Sequence, residues 1–252
     1  RERKYAGIFY EYGTGKTLIA LKLIDVVHMS RILVVSTKTA ILSTWPDEIR
    51  NHTNFQFLVL VGSKQQKEFI LQRGLRASSI QAGQYHEGYN VPTIFLINFD
   101  GLKNIFNNIK AANFDAIFID ESTKIKSPFT KRTKVLWALG QLIPRRYIMT
   151  GFPVTEALNE LYSQIKFLDK GKTFGNSYYA FLNVCFVKVN HRLCAKKKAM
   201  DYILRNIKEF CVRGSNEMLQ LPPKIFKKLV IEQSPQQKEL LGQLNGEFRM
   251  AF

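Results

Sequence analysis

Two blocks of the chain, Ile32-Leu33-Val34-Val35 and Ala116-Ile117-Phe118-Ile119, contain no polar side chain. A strand that is apolar on both faces must be covered on both faces, and strands of that kind belong to parallel sheets sandwiched between helices. Four further runs have strand character, so the sequence predicts strands at 5–9, 31–36, 57–61, 93–98, 115–120 and 146–150. Helical spacing fills the gaps between them, at 17–28, 40–51, 63–72, 131–139 and 156–168. Strand and helix in alternation imply right-handed βαβ crossovers and an α/β fold, with a mostly parallel central sheet flanked by helices.

The chemistry sits where strands end. Gly13-Thr14-Gly15-Lys16-Thr17 follows the first strand and opens the first helix. A glycine turn there lets backbone N–H groups close around phosphate oxygens, aided by the positive end of the helix. Lys16 is placed to reach terminal phosphates, and the Thr17 hydroxyl to ligate Mg²⁺. The full G-x-x-x-x-G-K-[ST] pattern needs glycine at position 10, where this chain has Tyr10. Asp120 and Glu121 close the fifth apolar run. Carboxylates at the C-terminal end of a parallel strand face the crevice where such sheets bind ligands. Asp120 suits a Mg²⁺ ligand, and Glu121 suits the group that orients and deprotonates an attacking water.

Composition narrows the partners. Lys and Arg total 37 against 20 acidic residues, a formal charge of +17 that attracts polyanions, nucleic acid first among them. The excess concentrates between 166 and 228, where the chain turns helical in tendency, basic and aromatic, with no obvious buried strand; it reads as a basic helical appendage. Three cysteines cannot close a disulfide framework, and Cys185, Cys194 and Cys211 with His191 match no common zinc finger. No apolar run reaches membrane-spanning length, and residues 1–7 show no signal-peptide core. Leu221-Pro222-Pro223 breaks the chain, a strand-like run follows at 226–231, and Ser234-Pro235 reads as the cap and first residue of a last helix. Trp45 and Trp137 read as packing residues.

Glu11-Tyr12-Gly13-Thr14-Gly15-Lys16-Thr17, Asp120-Glu121-Ser122-Thr123 and Thr150-Gly151-Phe152-Pro153 resemble motifs I, II and III of superfamily 2 helicases, and most closely the Swi/Snf-like branch of DNA translocases. Val34 through Lys38, with Trp45 and Glu48, is similar to that branch's motif Ia, and Ile97-Asn98-Phe99-Asp100 falls where its next DNA-side motif lies. The landmarks occur in family order along nearly the whole chain. The resemblance implies a RecA-like P-loop lobe at 1–168 holding ATP and Mg²⁺, a basic helical subdomain at 169–220, and from 221 to 252 the start of a link toward a second RecA-like lobe. It implies nucleotide contacts at Gly13, Thr14, Gly15, Lys16 and Thr17, with Mg²⁺ on Thr17 and Asp120. Glu121 and Lys16 would be catalytic, Thr150 and Gly151 would couple nucleotide state to DNA, and Thr37, Lys38, Thr39 and Asn98 would face the backbone of the tracked strand of double-stranded DNA.

Phe152 stands where the family has Thr. The family's upstream glutamine motif and the motifs of the second lobe, its arginine finger included, fall outside this stretch, so the piece alone is expected to bind nucleotide poorly and turn it over slowly. The leading expectation is the N-terminal motor lobe of a DNA-dependent ATPase, in an intracellular compartment of a bacterial or virus-infected cell. The alternative is a nucleic-acid-binding module with a degenerate ATP site, motivated by Tyr10 and Phe152. A small-molecule P-loop kinase has no substrate motif in its favour.

Overall fold

A computed structural model describes residues 3–84, 91–189, 192–214 and 234–250. Packing divides the chain into two units, Arg1–Leu219 and Gln220–Phe252.

In the first unit the elements follow in the order β1 (Tyr5–Tyr10), α1 (Lys16–Val26), β2 (Arg31–Ser36), α2 (Lys38–Leu42), α3 (Thr44–His52), β3 (Gln56–Val59), α4 (Lys64–Gln84), β4 (Thr93–Asn98), α5 (Phe99–Asn104), α6 (Phe106–Ala111) and β5 (Ala116–Asp120). A 3₁₀ turn at Ser122–Ile125 leads to α7 (Lys131–Leu142), β6 (Arg145–Thr150), α8 (Glu160–Asp169), α9 (Tyr178–Cys185), β7 (Phe186–Val189), β8 (Arg192–Ala195), α10 (Ala199–Ile207) and β9 (Cys211–Gly214). The second unit contributes α11 (Pro235–Met250).

Seven strands form one sheet in the order β3-β4-β2-β5-β6-β1-β9, with every neighbouring pair parallel. The apolar blocks are its centre, and alternate residues serve opposite faces. Ile32, Val34, Ala116 and Phe118 pack with Leu21 and Ile24 of α1 and with Trp45 and Ile49 of α3. Leu33, Val35, Ile117 and Ile119 pack on the other face with residues of α5 to α8, such as Leu102, Leu136 and Tyr162. Phe118 and Tyr147 stack at 4.6 Å, so the central strands are joined by rings as well as by ladder hydrogen bonds.

Several boundaries differ from the sequence expectation, each for a local reason. The helix expected at 40–51 is two helices. Pro46 has no N–H and would clash with the carbonyl four residues back, so the chain breaks at Ser43 and Pro46 falls in the first turn of α3, where no donor is required. Helices α5 and α6 were not foreseen; Asn98 starts the first of them by accepting the Gly101 N–H at 3.2 Å. The basic segment departs most from expectation, which is a stretch helical in tendency with no obvious buried strand. It carries the antiparallel pair β7–β8, and its last strand, β9, joins the main sheet beside β1. β9 is four residues long and alternates weakly, so it leaves little trace in the sequence.

Ser234 and Gln237 cap α11 reciprocally: Ser234 Oγ accepts the Gln237 N–H at 3.3 Å, and Gln237 Oε1 accepts the Ser234 N–H at 3.1 Å. The Leu221-Pro222-Pro223 break and the strand expected at 226–231 lie outside the described residues. Among the described residues, no helix is long and apolar enough to cross a membrane.

Candidate functional site

Parallel register brings the chemistry to one sheet edge. Phe9 of β1 pairs with Thr150 of β6, Met149 of β6 with Asp120 of β5, and Val35 of β2 with Ile119 of β5. The glycine turn after β1, the carboxylates after β5 and the start of α2 after β2 therefore leave the sheet side by side. They enclose a cavity of about 380 Å³ whose walls include Gly13, Gly15, Lys16, Thr17, Asp120 and Glu121, with Thr37, Thr44 and Glu48 on the α2–α3 side.

The turn is built by backbone conformation. Gly13 (φ 79°) and Gly15 (φ 76°) occupy the left-handed region that side chains disfavour, and Gly15 leads straight into α1. Thr14 Oγ1 donates to the Glu11 carbonyl at 2.6 Å, which ties the turn to itself. Lys16 Nζ donates to the carbonyls of Tyr10 (2.9 Å) and Glu11 (3.0 Å) and lies 4.9 Å from the centre of the Tyr12 ring. Burial pushes the Lys16 ammonium below its ordinary pKa, with Glu121 and Asp120 opposing that shift. Tyr10, the departure from the P-loop pattern, lies outside this turn: its ring covers Gly214 of β9, where an added Cβ would collide with it.

The carboxylate side is held by donors. Asp120 Oδ2 accepts from Ser36 Oγ at 2.9 Å and from Trp45 Nε1 at 3.1 Å, while Oδ1 accepts the Glu121 N–H at 3.0 Å. Glu121 is in the left-handed region (φ 57°, ψ 55°), a strained conformation of the kind found at functional sites. Burial raises its carboxyl pKa, Asp120 raises it further, and Lys16 and Lys124 pull it back. A half-buried carboxylate of raised basicity beside a cavity is a fitting acceptor for a proton from water.

Behind Glu121 runs a buried polar chain. Ser122 Oγ donates to Gln164 Oε1 at 2.7 Å, and Gln164 Nε2 donates to the Pro153 carbonyl at 2.7 Å and the Glu160 carbonyl at 3.1 Å. Both side chains are fully buried. Thr150-Gly151-Phe152-Pro153 is thereby wired to the carboxylate loop. It also touches the glycine turn: a Cβ on Gly151 would meet the Tyr12 ring at 3.2 Å, and the Tyr12 and Phe152 rings lie 6.0 Å apart. Thr150 Oγ1 is buried with no hydrogen-bond partner among the described residues, an acceptor and donor held in reserve at the junction of the motifs.

Of the residues expected to face DNA, Lys38 and Thr39 are exposed on α2. Thr37 caps α2 by accepting the Ala40 N–H at 3.3 Å and also lines the cavity, while Asn98 caps α5. Sequence reasoning placed Tyr12 in motif I and Ser36 and Trp45 in motif Ia without finding their contacts, and it missed Gln164. Trp45 was read as packing, and its full burial fits that, but its indole N–H reaches a carboxylate 75 positions away. Only the strand order reveals that pairing.

The cavity's contents define what it fits. Asp120 and the Thr17 hydroxyl are hard oxygen donors suited to Mg²⁺, and the ammonium with the N–H groups at the start of α1 suits a polyphosphate. Fold and site together define a RecA-like P-loop lobe. The chain matches the SNF2-related domain model over residues 2–247 and belongs to that family.

It is similar to the DNA repair protein RAD5 of Debaryomyces hansenii (22% identical; 88% of this chain, 21% of that protein) and to the DNA repair and recombination protein RAD54B of Homo sapiens (24%; 85% and 24%). It also resembles the putative protein p41 of Acyrthosiphon pisum secondary endosymbiont phage 1 (26%; 74% and 40%). Among solved structures it is similar to the Sulfolobus solfataricus SWI2/SNF2 ATPase core in complex with dsDNA, with a TM-score of 0.62 at 21% identity, covering 84% of this chain and 40% of that one. The chain spans about a fifth to two fifths of the length of these curated relatives.

Proposed function

We propose that this lobe binds ATP with Mg²⁺ and, within a longer protein, forms the N-terminal half of a DNA-dependent ATPase that couples hydrolysis to movement on double-stranded DNA. The observation that carries the reading is the convergence of Lys16 and Thr17 with Asp120 and Glu121 on one cavity. Bound Mg·ATP supplies the electrophilic γ-phosphoryl group, its charge neutralised by the metal. Gly13, Thr14 and Gly15 present the turn to the phosphates, and Lys16 exchanges its two carbonyl partners for anionic oxygen. Asp120 and Thr17 would hold the metal. Glu121 orients a water and accepts its proton. Thr150 and Gly151 couple that state to the DNA side, where Thr37, Lys38, Thr39 and Asn98 meet backbone phosphates, which position without reading sequence.

The described part of the basic segment, up to Gly214, belongs with the sheet it joins through β9, and 221–252 is taken as the link toward a second RecA-like lobe. DNA as the partner places the protein inside the cell. The degenerate-site alternative loses one of its two motives, because the Tyr10 ring packs on Gly214 of β9.

The test is ATP hydrolysis by the full-length protein with and without duplex DNA. Stimulation by DNA that falls steeply as salt rises supports the reading, since charge-driven phosphate contacts release counterions. Nucleotide binding with no hydrolysis in either condition returns the chain to the degenerate alternative.

A further inference from the structure

Asp120 has more partners than a cavity-lining carboxylate requires, and two of them come from β2 and α3. Ser36 is the last residue of β2 and Trp45 sits in the first turn of α3; both are fully buried and both donate to the same oxygen, Oδ2. Two donors occupy the two lone-pair directions of that oxygen. Oδ1 has one partner, the Glu121 N–H, and keeps a lone pair free. The donors thus decide which carboxylate oxygen remains available to the cavity.

Resting on the ATP·Mg²⁺ reading above, we propose that Trp45 and Ser36 are positioning residues that lock the Asp120 carboxylate so that Oδ1 alone serves the divalent cation. The lock has a second consequence. Thr37, Lys38 and Thr39 lie in the chain between the two donors, so a displacement of α2 by a bound strand is transmitted to the carboxylate through Ser36 and Trp45.

Indole suits this task. It is a donor only, so it can never compete with the carboxylate for the cation, and its bulk is fixed in the core shared by α1, α3 and the sheet. Hydrogen-bond partners of metal ligands characteristically govern affinity by ten- to a hundredfold.

The experiment uses the full-length protein and Mn²⁺ as the probe, with binding followed by electron paramagnetic resonance in the presence of ADP. Trp45→Phe keeps a ring in the core and removes the donor, and Ser36→Ala removes the other donor with little change of volume. Each is expected to weaken Mn²⁺ binding about tenfold while ADP binding without metal stays at the parent value. In protein labelled with 5-fluorotryptophan, the ¹⁹F resonance that disappears in Trp45→Phe identifies Trp45, and it should shift on addition of Mg·ADP. A packing role alone predicts a lower melting temperature with metal affinity and resonance unmoved. That outcome in Trp45→Phe, together with unchanged affinity in Ser36→Ala, overturns the proposal. If the parent protein takes up no nucleotide at all, the function proposed above fails and this inference falls with it. Nucleotide uptake with indifferent variants sinks this inference alone.

Discussion

The two walls of the cavity are prepared to different degrees. On the carboxylate wall, Asp120 is fixed by one donor from each of two other segments and by the N–H of its neighbour Glu121, and Glu121 is set in a strained conformation with a buried serine–glutamine chain behind it. On the glycine-turn wall, the decisive cation is spent on its own loop: Lys16 is bonded to the carbonyls of Tyr10 and Glu11, under an aromatic ring that is itself 58% exposed. The difference teaches where preorganisation lies. Electrostatic stabilisation of a reacting group works best when the groups need no rearrangement at the moment of reaction. Lysine, by contrast, would have to change partners for an arriving anion, so in the proposed function this wall is the one that senses occupancy.

Breaking the prepared wall has the largest expected effect. Glu121→Gln retains the size and the hydrogen-bonding capacity of the side chain and removes its basicity, so turnover should fall about 10²- to 10⁴-fold with nucleotide affinity unchanged. Steady-state ATPase rates beside nucleotide-binding titrations check this, and undiminished DNA-stimulated turnover would remove Glu121 from its role. The same residue sets the acid side of the pH profile. Its carboxyl titrates above the ordinary glutamate value, chiefly through burial and then through Asp120, and in the proposed role the ionised form is the base. Activity is therefore present above that raised pKa and lost as pH falls through it, earlier than an exposed glutamate near pH 4.3 would allow.

The adaptable wall comes next. Lys16→Ala leaves the turn and its glycines in place and should weaken ATP binding on the order of a hundredfold, as loss of a charged hydrogen-bond partner to a phosphate generally does. The contrast with Glu121→Gln is the sharper reading: one variant moves affinity, the other turnover. Should Lys16→Ala alter only turnover, the distinction between the walls collapses.

These same walls mark how far the sequence could be read. The parallel sheet was legible because Ile32–Val35 and Ala116–Ile119 are apolar on both faces, and a strand so composed has few alternatives. The glycine turn was legible because its chemistry is local: the left-handed residues, the lysine and the helix start are contiguous. The carboxylates were visible as a charged end to an apolar strand. Their supports were not. Ser36, Trp45 and Gln164 act across 84, 75 and 42 positions of chain, and no periodicity encodes a pairing that depends on strand order. The edge strand β9 was hidden for a different reason. Its identity comes from β1 beside it, where Tyr10 needs a residue without a side chain at 214.

An intermediate effect is expected where the walls are linked. Gln164→Leu keeps the volume but leaves the fully buried Ser122 hydroxyl and the part-buried Pro153 carbonyl without their partner. Losing such partners costs about 1–3 kcal/mol of stability. If the chain transmits the state of 150–153 to Glu121, DNA stimulation should fall roughly tenfold while basal hydrolysis and ADP affinity hold, a pattern that lost stability alone does not produce. Gln164→Glu, which can accept from Ser122 but not donate to Pro153 when ionised, should restore half of the connection and little of the stimulation.

The smallest effect tests the resting position of Lys16 directly. The Tyr12 ring lies over the Lys16 ammonium and packs on Gly151 and Phe152, so it favours the arrangement in which lysine faces its own loop. A cation over an exposed ring gains about 0.5–1 kcal/mol. Tyr12→Ala removes that preference without touching the carbonyls, so ATP should bind about two- to fivefold more tightly, by equilibrium titration of the full-length protein. Phe152→Thr, which withdraws only the neighbouring ring, should move affinity in the same direction by less. Weaker binding in Tyr12→Ala would mean that the ring contacts the nucleotide itself, and the glycine-turn wall would then be as prepared as the one opposite.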